Sequence, residues 1–334
     1  VPRRRARGRV RGPRPVSGPR EILLVHNGSS RAARDACERT AGILRAGGYR
    51  PRALAAATAQ KLSHDLTAAL RAGSQTVAAV VAVGGDGMVH LVLQSLHTLR
   101  DQGIAVPLGL VPAGSGNDLA RFHGVASRDV ERAAGRVLRG LESPPRAMDL
   151  VHVTCADGTR HVCATAVCLG LDARVNARAN RWHRIRASAK YTAALAVDLV
   201  RLRARCYDLS WASPDGRPHT ARRNLTLLTF ANTSSIGGGL RIVPRADARD
   251  GAAELFMVSD VGPVTFVTSL PRLRLGTHEL LPEVAVESAV AASVAVAGTG
   301  GRESPGDTAY GDGERLGPLP VSLRVLPASL DVLF

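Results

Sequence analysis

Short apolar runs alternate with amphipathic stretches from Glu21 to about Arg139, after which the chain turns to closely spaced strand patterns. Glu21–His26 (EILLVH) has the length and apolar density of a buried strand and ends at Asn27-Gly28-Ser29-Ser30. A helix is predicted over Arg31–Ala46, with Ala36, Thr40, Ile43 and Leu44 on one face and Gly47-Gly48 as its stop. Pro51–Ala57 predicts a second strand, Thr58 an N-cap, and Ala59–Ala72 a helix that aligns Leu62, Leu66 and Leu70. Val77–Val83 is a third strand running into Gly84-Gly85-Asp86-Gly87, after which Met88, Val92, Leu96 and Leu99 return at helical spacing. Val106–Val111 is a fourth strand, and Pro112–Asp118 is a turn that leads into a short helix at Leu119-Ala120-Arg121. One more helix, near Arg128–Arg139, closes at Gly140. Strict alternation of strand and helix predicts an α/β fold with a doubly wound parallel sheet.

The pattern changes at Met148. Strands are predicted over Asp149–Val153, His161–Cys168, Cys206–Ser210, Asn224–Ala231, Leu240–Val243 and Glu254–Val258, with two or three more after Val284. Turns at Asp157-Gly158, Pro214-Asp215-Gly216, Gly237-Gly238-Gly239 and Asp250-Gly251 separate them. This reads as a mostly antiparallel β-sandwich domain over 148–320, following an α/β domain over 21–147. Final strands at Val321–Val325 and Ser329–Leu333 are expected to return toward the first domain. One helical insert, Val175–Arg203, carries Arg178, Arg181, Arg184, Arg186 and Lys190, a basic face suited to a solvated surface or to an anionic membrane.

Charge changes the picture at the front of the chain. The net charge is +16, and eight of the arginines fall in the first 20 residues, which contain no acid. Residues 1–20 lack apolar periodicity and are expected to be a disordered tail. That tail is compatible with anionic lipid, with nucleic acid, or with a purely solvated role; it lacks the apolar stretch of an export signal. Aromatics make up only 3% of the chain, which argues against base-stacking platforms and so against nucleic acid as a partner. The longest weakly polar run, Val284–Gly298, is interrupted by Glu287 and is too short to span a bilayer. Five cysteines without metal-ligand spacing (Cys37, Cys155, Cys163, Cys168 and Cys206) fit a reduced, cytoplasmic protein.

The chemistry concentrates in two glycine-bearing turns. A strand that ends in Gly84-Gly85-Asp86-Gly87 and opens a helix aims backbone N–H groups and a helix dipole at one place, which suits phosphate. Gly114, Ser115, Asn117 and Asp118 repeat that logic after the next strand. Asp86 cannot bind phosphate itself, so it implies a cation or a proton acceptor. Further on, Tyr310-Gly311-Asp312-Gly313-Glu314 places two carboxylates around a glycine in a turn between strands.

Together, GGDG and PAGSGNDLAR resemble the catalytic domain of the diacylglycerol kinase family, which includes bacterial lipid kinases and sphingosine kinases. The resemblance implies ATP-dependent phosphorylation of a lipid hydroxyl with Mg2+, at the surface of a membrane touched only peripherally on its inner face, and it admits a homodimer. By the same resemblance Asn27, Thr58, Gly84, Gly85, Asp86, Gly87, Met88, His90, Gly114, Ser115, Asn117 and Asp118 lie at the nucleotide. Glu314 matches the family's proton acceptor, Asp312 would help place it or Mg2+, and Asp86 is the second candidate base. A structural Mg2+ would be held by the Asp250 carboxylate and the carbonyls of Asp247 and Ala252. Met88, His90 and Leu91 depart from the family's Thr and Asn-Glu at these positions, removing a hydroxyl and an amide. Other readings are an NAD kinase, which shares GGDG and two domains, and a non-catalytic nucleotide- or nucleic-acid-binding protein.

Overall fold

The apolar runs of the first half become the interior of a parallel sheet. In a computed structural model, which describes residues 20–125, 129–181, 193–194, 197–199, 202–299 and 307–334, strand β1 (Glu21–Asn27) lies between β2 (Arg50–Ala56) and β3 (Val77–Gly84). Strand β4 (Leu108–Pro112) pairs with the far side of β3, giving the parallel order β4-β3-β1-β2. Ile22, Leu23, Leu24, Val80, Val81 and Leu108 are wholly buried, each stabilising the fold by roughly 1.5–3 kcal/mol. Edge strand β2 instead alternates between half-buried and exposed, as a one-sided strand should.

Helices cover this sheet in two pairs. Helix α1 (Arg31–Ala46), capped by Ser30, packs with α5 (Val130–Leu141), capped by Asp129. Helix α2 (Ala59–Ala72), capped by Thr58, packs with α3 (Asp86–Arg100). The short α4 (Asp118–Phe122) follows β4. The crossovers join parallel strands, β2 to β3 passing over β1, so the carboxyl ends of β1, β2, β3 and β4 share one edge.

The second half is antiparallel. Strands β5 (Arg146–Cys155), β6 (Arg160–Cys163), β7 (Ala166–Gly170), β8 (Arg205–Ala212), β9 (Pro218–Ala231), β10 (Ala253–Ser259), β11 (Val284–Ala289), β12 (Ala291–Val296), β13 (Thr308–Gly311), β14 (Glu314–Pro318) and β15 (Val321–Val332) form it. The long β9 pairs with β8 along its first part and lies between β7 and β10 along the rest. Strand β15 pairs with β5 and β12, and at Val332 runs parallel to Leu108 of β4, so one sheet continues through both halves. Tyr207, Phe230, Leu255 and Leu323 are among the residues that fill the second core.

Four local expectations are revised. His161–Cys168 is not one strand: it breaks into β6 and β7 at Ala164-Thr165, whose N–H groups turn to a carboxylate instead of the ladder. Leu240–Val243 forms no strand beyond an isolated bridge, Ile236 to Leu240, because the three preceding glycines all take positive φ. Helix α7 (Pro263–Leu275), with Pro263 in its first turn and Gly276 as a left-handed cap, lies where strands were expected to predominate. The helical insert begins earlier than expected, as α6 (Leu171–Arg181), and Arg178 pairs with Asp198 at 2.7 Å instead of standing free for a membrane. Arg184, Arg186 and Lys190, like the tail 1–19, lie outside the described residues. All five cysteines are unpaired, four of them buried. Among the described residues no helix is long and apolar enough to cross a membrane.

Candidate active site

The two glycine turns touch backbone to backbone. A Cβ on Gly114 would collide with Gly85 Cα, and one on Gly85 would sit 3.1 Å from Gly114 Cα, so this approach requires glycine on both sides. Gly85 caps α3 without a side-chain hydrogen bond, and its carbonyl accepts from Met88 N and Val89 N, which leaves the N–H groups of Asp86 and Gly87 at the helix start for a ligand. Asp86 ties the turns together: Oδ2 accepts from Asn117 N and Oδ1 from Asp118 N, both at 2.7 Å. Asn117 closes its own turn, its amide exchanging hydrogen bonds with Gly114 N and O, from a left-handed backbone at φ 56°. Asp118 then accepts Gly238 N from the second half at 2.9 Å. Burial pushes Asp86 up to about 7, the Asp118 carboxylate adds to this, and the two N–H donors pull the other way. Burial also raises Asp118, against hydrogen bonds from Gly238 and Gly239.

The Asp312–Glu314 hairpin enters the cleft from the other side. Asp312 and Gly313 have φ 51° and 85°, the paired positive values of a tight two-residue hairpin loop. Asp312 Oδ1 accepts from Thr165 N at 2.8 Å and from Thr165 Oγ1 at 2.6 Å; Oδ2 accepts from Ala164 N at 3.0 Å and faces His90 Nδ1 at 3.2 Å. Burial alone would raise this carboxyl, but His90 and Thr165 outweigh it and hold Asp312 below the usual carboxylate range. His90 is itself oriented by Gln94, whose amide lies 3.3 Å from Nε2 and also donates to Val162 O at 2.6 Å. With its tip fixed, the hairpin presents Glu314 to the first turn of α3: Oε1 lies 2.5 Å from where a Cβ of Gly87 would be.

Asn27, Thr58, Ser115 and Met88 fall on or beside the same edge. Asn27, at the end of β1, accepts Ser29 N at 2.9 Å and shapes its turn; Thr58, after β2, accepts Lys61 N at 3.3 Å and keeps its hydroxyl proton to donate. Ser115 is exposed at the tip of its turn. Met88 packs back against the core, its Cβ 2.8 Å from the Cβ position that Gly84 lacks. Asp247, Asp250 and Ala252 belong to the loop that leads into β10. Asp250 is exposed and its Oδ1 accepts Ala252 N at 3.0 Å, while Asp149 anchors the loop through Gly251 N at 2.7 Å. Asp247 O accepts Asp250 N at 3.4 Å and so keeps one lone pair; that oxygen and Asp250 Oδ2 are of the hard type a Mg2+ ion prefers. His90, Cys163 and Asp312 also cluster, but His90 Nδ1 and both Asp312 oxygens are spent on the contacts above.

Sequence reasoning missed three features. His90, expected at the nucleotide in place of the family's amide, faces Asp312 Oδ2 and orients it. The Gly237–Gly239 run looked like a turn marker, yet its N–H groups reach Asp118. Asp172, at the start of α6, is half-buried and desolvation pushes its carboxyl up to about 6, with Thr229 Oγ1 donating at 2.7 Å; nothing in its local pattern distinguished it from a helix-start acid. The second half also holds an apolar cavity lined by Leu227, Phe256, Val258, Phe266, Leu270 and Leu273, with α7 along one wall and Val264, Leu275 and Leu280 exposed nearby.

Residues 21–168 match the family described as Diacylglycerol kinase catalytic domain, and residues 165–334 the one described as YegS C-terminal NAD kinase beta sandwich-like domain. The chain is 34% identical over 270 residues to a protein named diacylglycerol kinase from Mycobacterium tuberculosis (strain ATCC 25618 / H37Rv), covering 81% of this chain and 80% of that one. It is 27% identical to a probable lipid kinase YegS-like from Stenotrophomonas maltophilia (strain K279a), over 63% and 65% of the two chains. A solved Bacillus anthracis structure superposes at a TM-score of 0.72 with 18% identity, over 96% of this chain and 98% of that one, a likeness of fold.

Proposed function

Because the chain belongs to the diacylglycerol kinase catalytic-domain family, we propose that it transfers the γ-phosphate of ATP to the free hydroxyl of diacylglycerol or a related lipid. The observation that carries this reading is Glu314 set against Gly87, a carboxylate from one half beside the phosphate turn of the other. ATP would lie along the edge formed by Asn27, Thr58, Gly84–Gly87 and Gly114–Asp118, its phosphates on the uncapped N–H groups of α3. A Mg2+ ion bound with the nucleotide would supply charge neutralisation to its phosphates.

Glu314 takes the proton of the lipid hydroxyl as that oxygen bonds to the γ-phosphorus; the bond to the bridging oxygen breaks and ADP leaves. Asp312, with its oxygens held by His90, Ala164 and Thr165, is a positioning residue for Glu314 and not a second base. Asp86 is likewise committed to the backbone of the partner turn, so its role is to hold the two turns in register. The apolar cavity beside α7 suits an acyl chain, and the exposed Val264, Leu275 and Leu280 suit peripheral contact with a membrane. A structural Mg2+ at Asp247, Asp250 and Ala252 would stiffen the loop that Asp149 anchors.

The test is transfer of labelled γ-phosphate from ATP to a panel of extracted lipids with Mg2+, run beside Glu314→Gln. A lipid-soluble product that the variant fails to make, while still binding ATP, supports the proposal and names the acceptor. Label in NAD and not in lipid would replace it with an NAD kinase. Bound ATP without any product would leave a non-catalytic binding protein.

A further inference from the structure

Away from the phosphate turns, a second cavity of about 410 Å³ opens between the two halves of the molecule. Its walls include Phe122, His123 and Arg136 from the α4–α5 region, Arg146 at the start of β5, and Asp247 and Arg249 of the loop that Asp149 anchors. Three guanidinium groups therefore line one concavity. Asp247 is the one carboxylate among the described residues that pairs with any of them, meeting Arg249 at 3.0 Å.

The wall carrying Arg136 is built before any ligand arrives. Arg136 Nη1 donates to Gly124 O at 2.9 Å and Nη2 to His123 O at 3.1 Å. Its guanidinium carbon stands 5.7 Å from the Phe334 ring centroid, and Phe334 stacks on His123 at 4.0 Å. Arg146, by contrast, uses its guanidinium for no hydrogen bond or ion pair with any described residue. His123 does not relieve the imbalance. Burial, then the charges of Arg249, Arg136 and Arg146, push it down to about 3, so it stays neutral. Gathering three cations around one carboxylate is unfavourable by their mutual repulsion unless an anion joins them.

We propose that this cavity is a binding site for a phosphate-type oxyanion, supplied either as free inorganic phosphate or as the phosphodiester of an anionic lipid headgroup. Guanidinium forks match phosphate oxygens in pairs, and a fixed Arg136 lowers the ordering cost of binding. An occupant held by Arg136, Arg146 and Arg249 draws the 246–249 loop onto the α4–α5 region. Helix α4 begins at Asp118, which Asp86 and Gly238 already hold, so the occupant braces the element that carries the second glycine turn.

The experiment is calorimetric titration of inorganic phosphate into the full chain in chloride buffer. Wild type is compared with Arg146→Gln, Arg249→Gln and Arg217→Gln. The last removes one charge from an exposed pair with Asp215 on the β8–β9 turn and controls for net charge. Melting curves check that each variant is folded. Losing one charge-assisted contact predicts a Kd weakened about 10-fold or more in Arg146→Gln and Arg249→Gln, and unchanged in Arg217→Gln. Phosphate taken up at the glycine turns would bind all four proteins alike.

Co-sedimentation with phosphatidylglycerol vesicles, against phosphatidylcholine vesicles, separates the two sources. A variant-sensitive phosphate isotherm without variant-sensitive sedimentation assigns the free ion; the converse assigns the headgroup. Equal isotherms and equal sedimentation across wild type, Arg146→Gln and Arg249→Gln would overturn the proposal.

Discussion

Replacing Gly87 by Ala separates catalysis from folding more cleanly than changing any charged residue. The added Cβ would lie 2.5 Å from Glu314 Oε1, whereas ordinary contact begins near 3.4 Å, so the carboxylate must retreat by roughly 1 Å. That retreat is feasible because the clash falls on the end of a flexible, exposed side chain and not on backbone. The fold has no reason to suffer: Gly87 lies in the first turn of α3 without positive φ, and Ala favours a helix over Gly by up to about 1 kcal/mol. A misplacement of about 1 Å in a reacting group costs on the order of 100-fold in rate. The expected outcome for Gly87→Ala is therefore a kcat about 100-fold lower, ATP affinity within a few-fold of wild type, and an unchanged or slightly raised Tm. Steady-state kinetics on the lipid acceptor, ATP titration and a melting curve measure the three quantities. A variant that keeps near-normal kcat while Glu314→Gln is inactive would refute the argument, because Glu314 would then act from somewhere other than beside α3.

Gly114→Ala should behave differently, since its Cβ meets backbone at Gly85; we expect a Tm loss corresponding to about 1–3 kcal/mol together with weaker ATP binding, read by melting and titration. Asp312→Asn removes an acceptor that serves His90, Ala164 and Thr165 and should cost about 2–4 kcal/mol, measured by urea unfolding. The Asp312 carboxyl is depressed in the folded state, so its contribution is present above the unfolded value of 3.8 and is lost as pH falls through the lower folded value; the stability gap between wild type and Asp312→Asn should close on acidification across that window. Leu270→Gln, on the wall of the apolar cavity, should raise KM for long-chain acceptors several-fold and leave short-chain acceptors nearly unaffected, a comparison made on a chain-length series.

The parallel sheet was legible because β1, β3 and β4 are uninterrupted apolar runs, each closed by a glycine, asparagine or proline turn, and such runs have few alternatives to a buried strand. The contact between the glycine turns was half legible. Spacing placed both at strand ends, but only three-dimensional structure shows Gly85 against Gly114. What the sequence hid is chiefly long-range. The pairing of His90 with Asp312 joins residues from opposite ends of the chain, and a histidine on a helix carries no local mark of its partner. The break at Ala164-Thr165 was hidden for the same reason: its strand propensity is ordinary, and the competing acceptor is Asp312, far along the chain. Helix α7 escaped notice because Pro271 lies inside it, and an interior proline, which forfeits the hydrogen bond to the carbonyl of Val267, is read as a breaker.

Strand β15 bears on how the chain reaches this state during synthesis. Leu108 is completed early, yet the strand that covers its open side ends at Val332, so the growing chain carries an uncovered β-edge on β4 while nearly the whole second half is still being made. Exposed edges of this kind recruit other strands. Ribosome-bound chains released before β15 should therefore be prone to association through β4, and a chaperone that shields that edge would raise the yield of native protein without touching the finished fold.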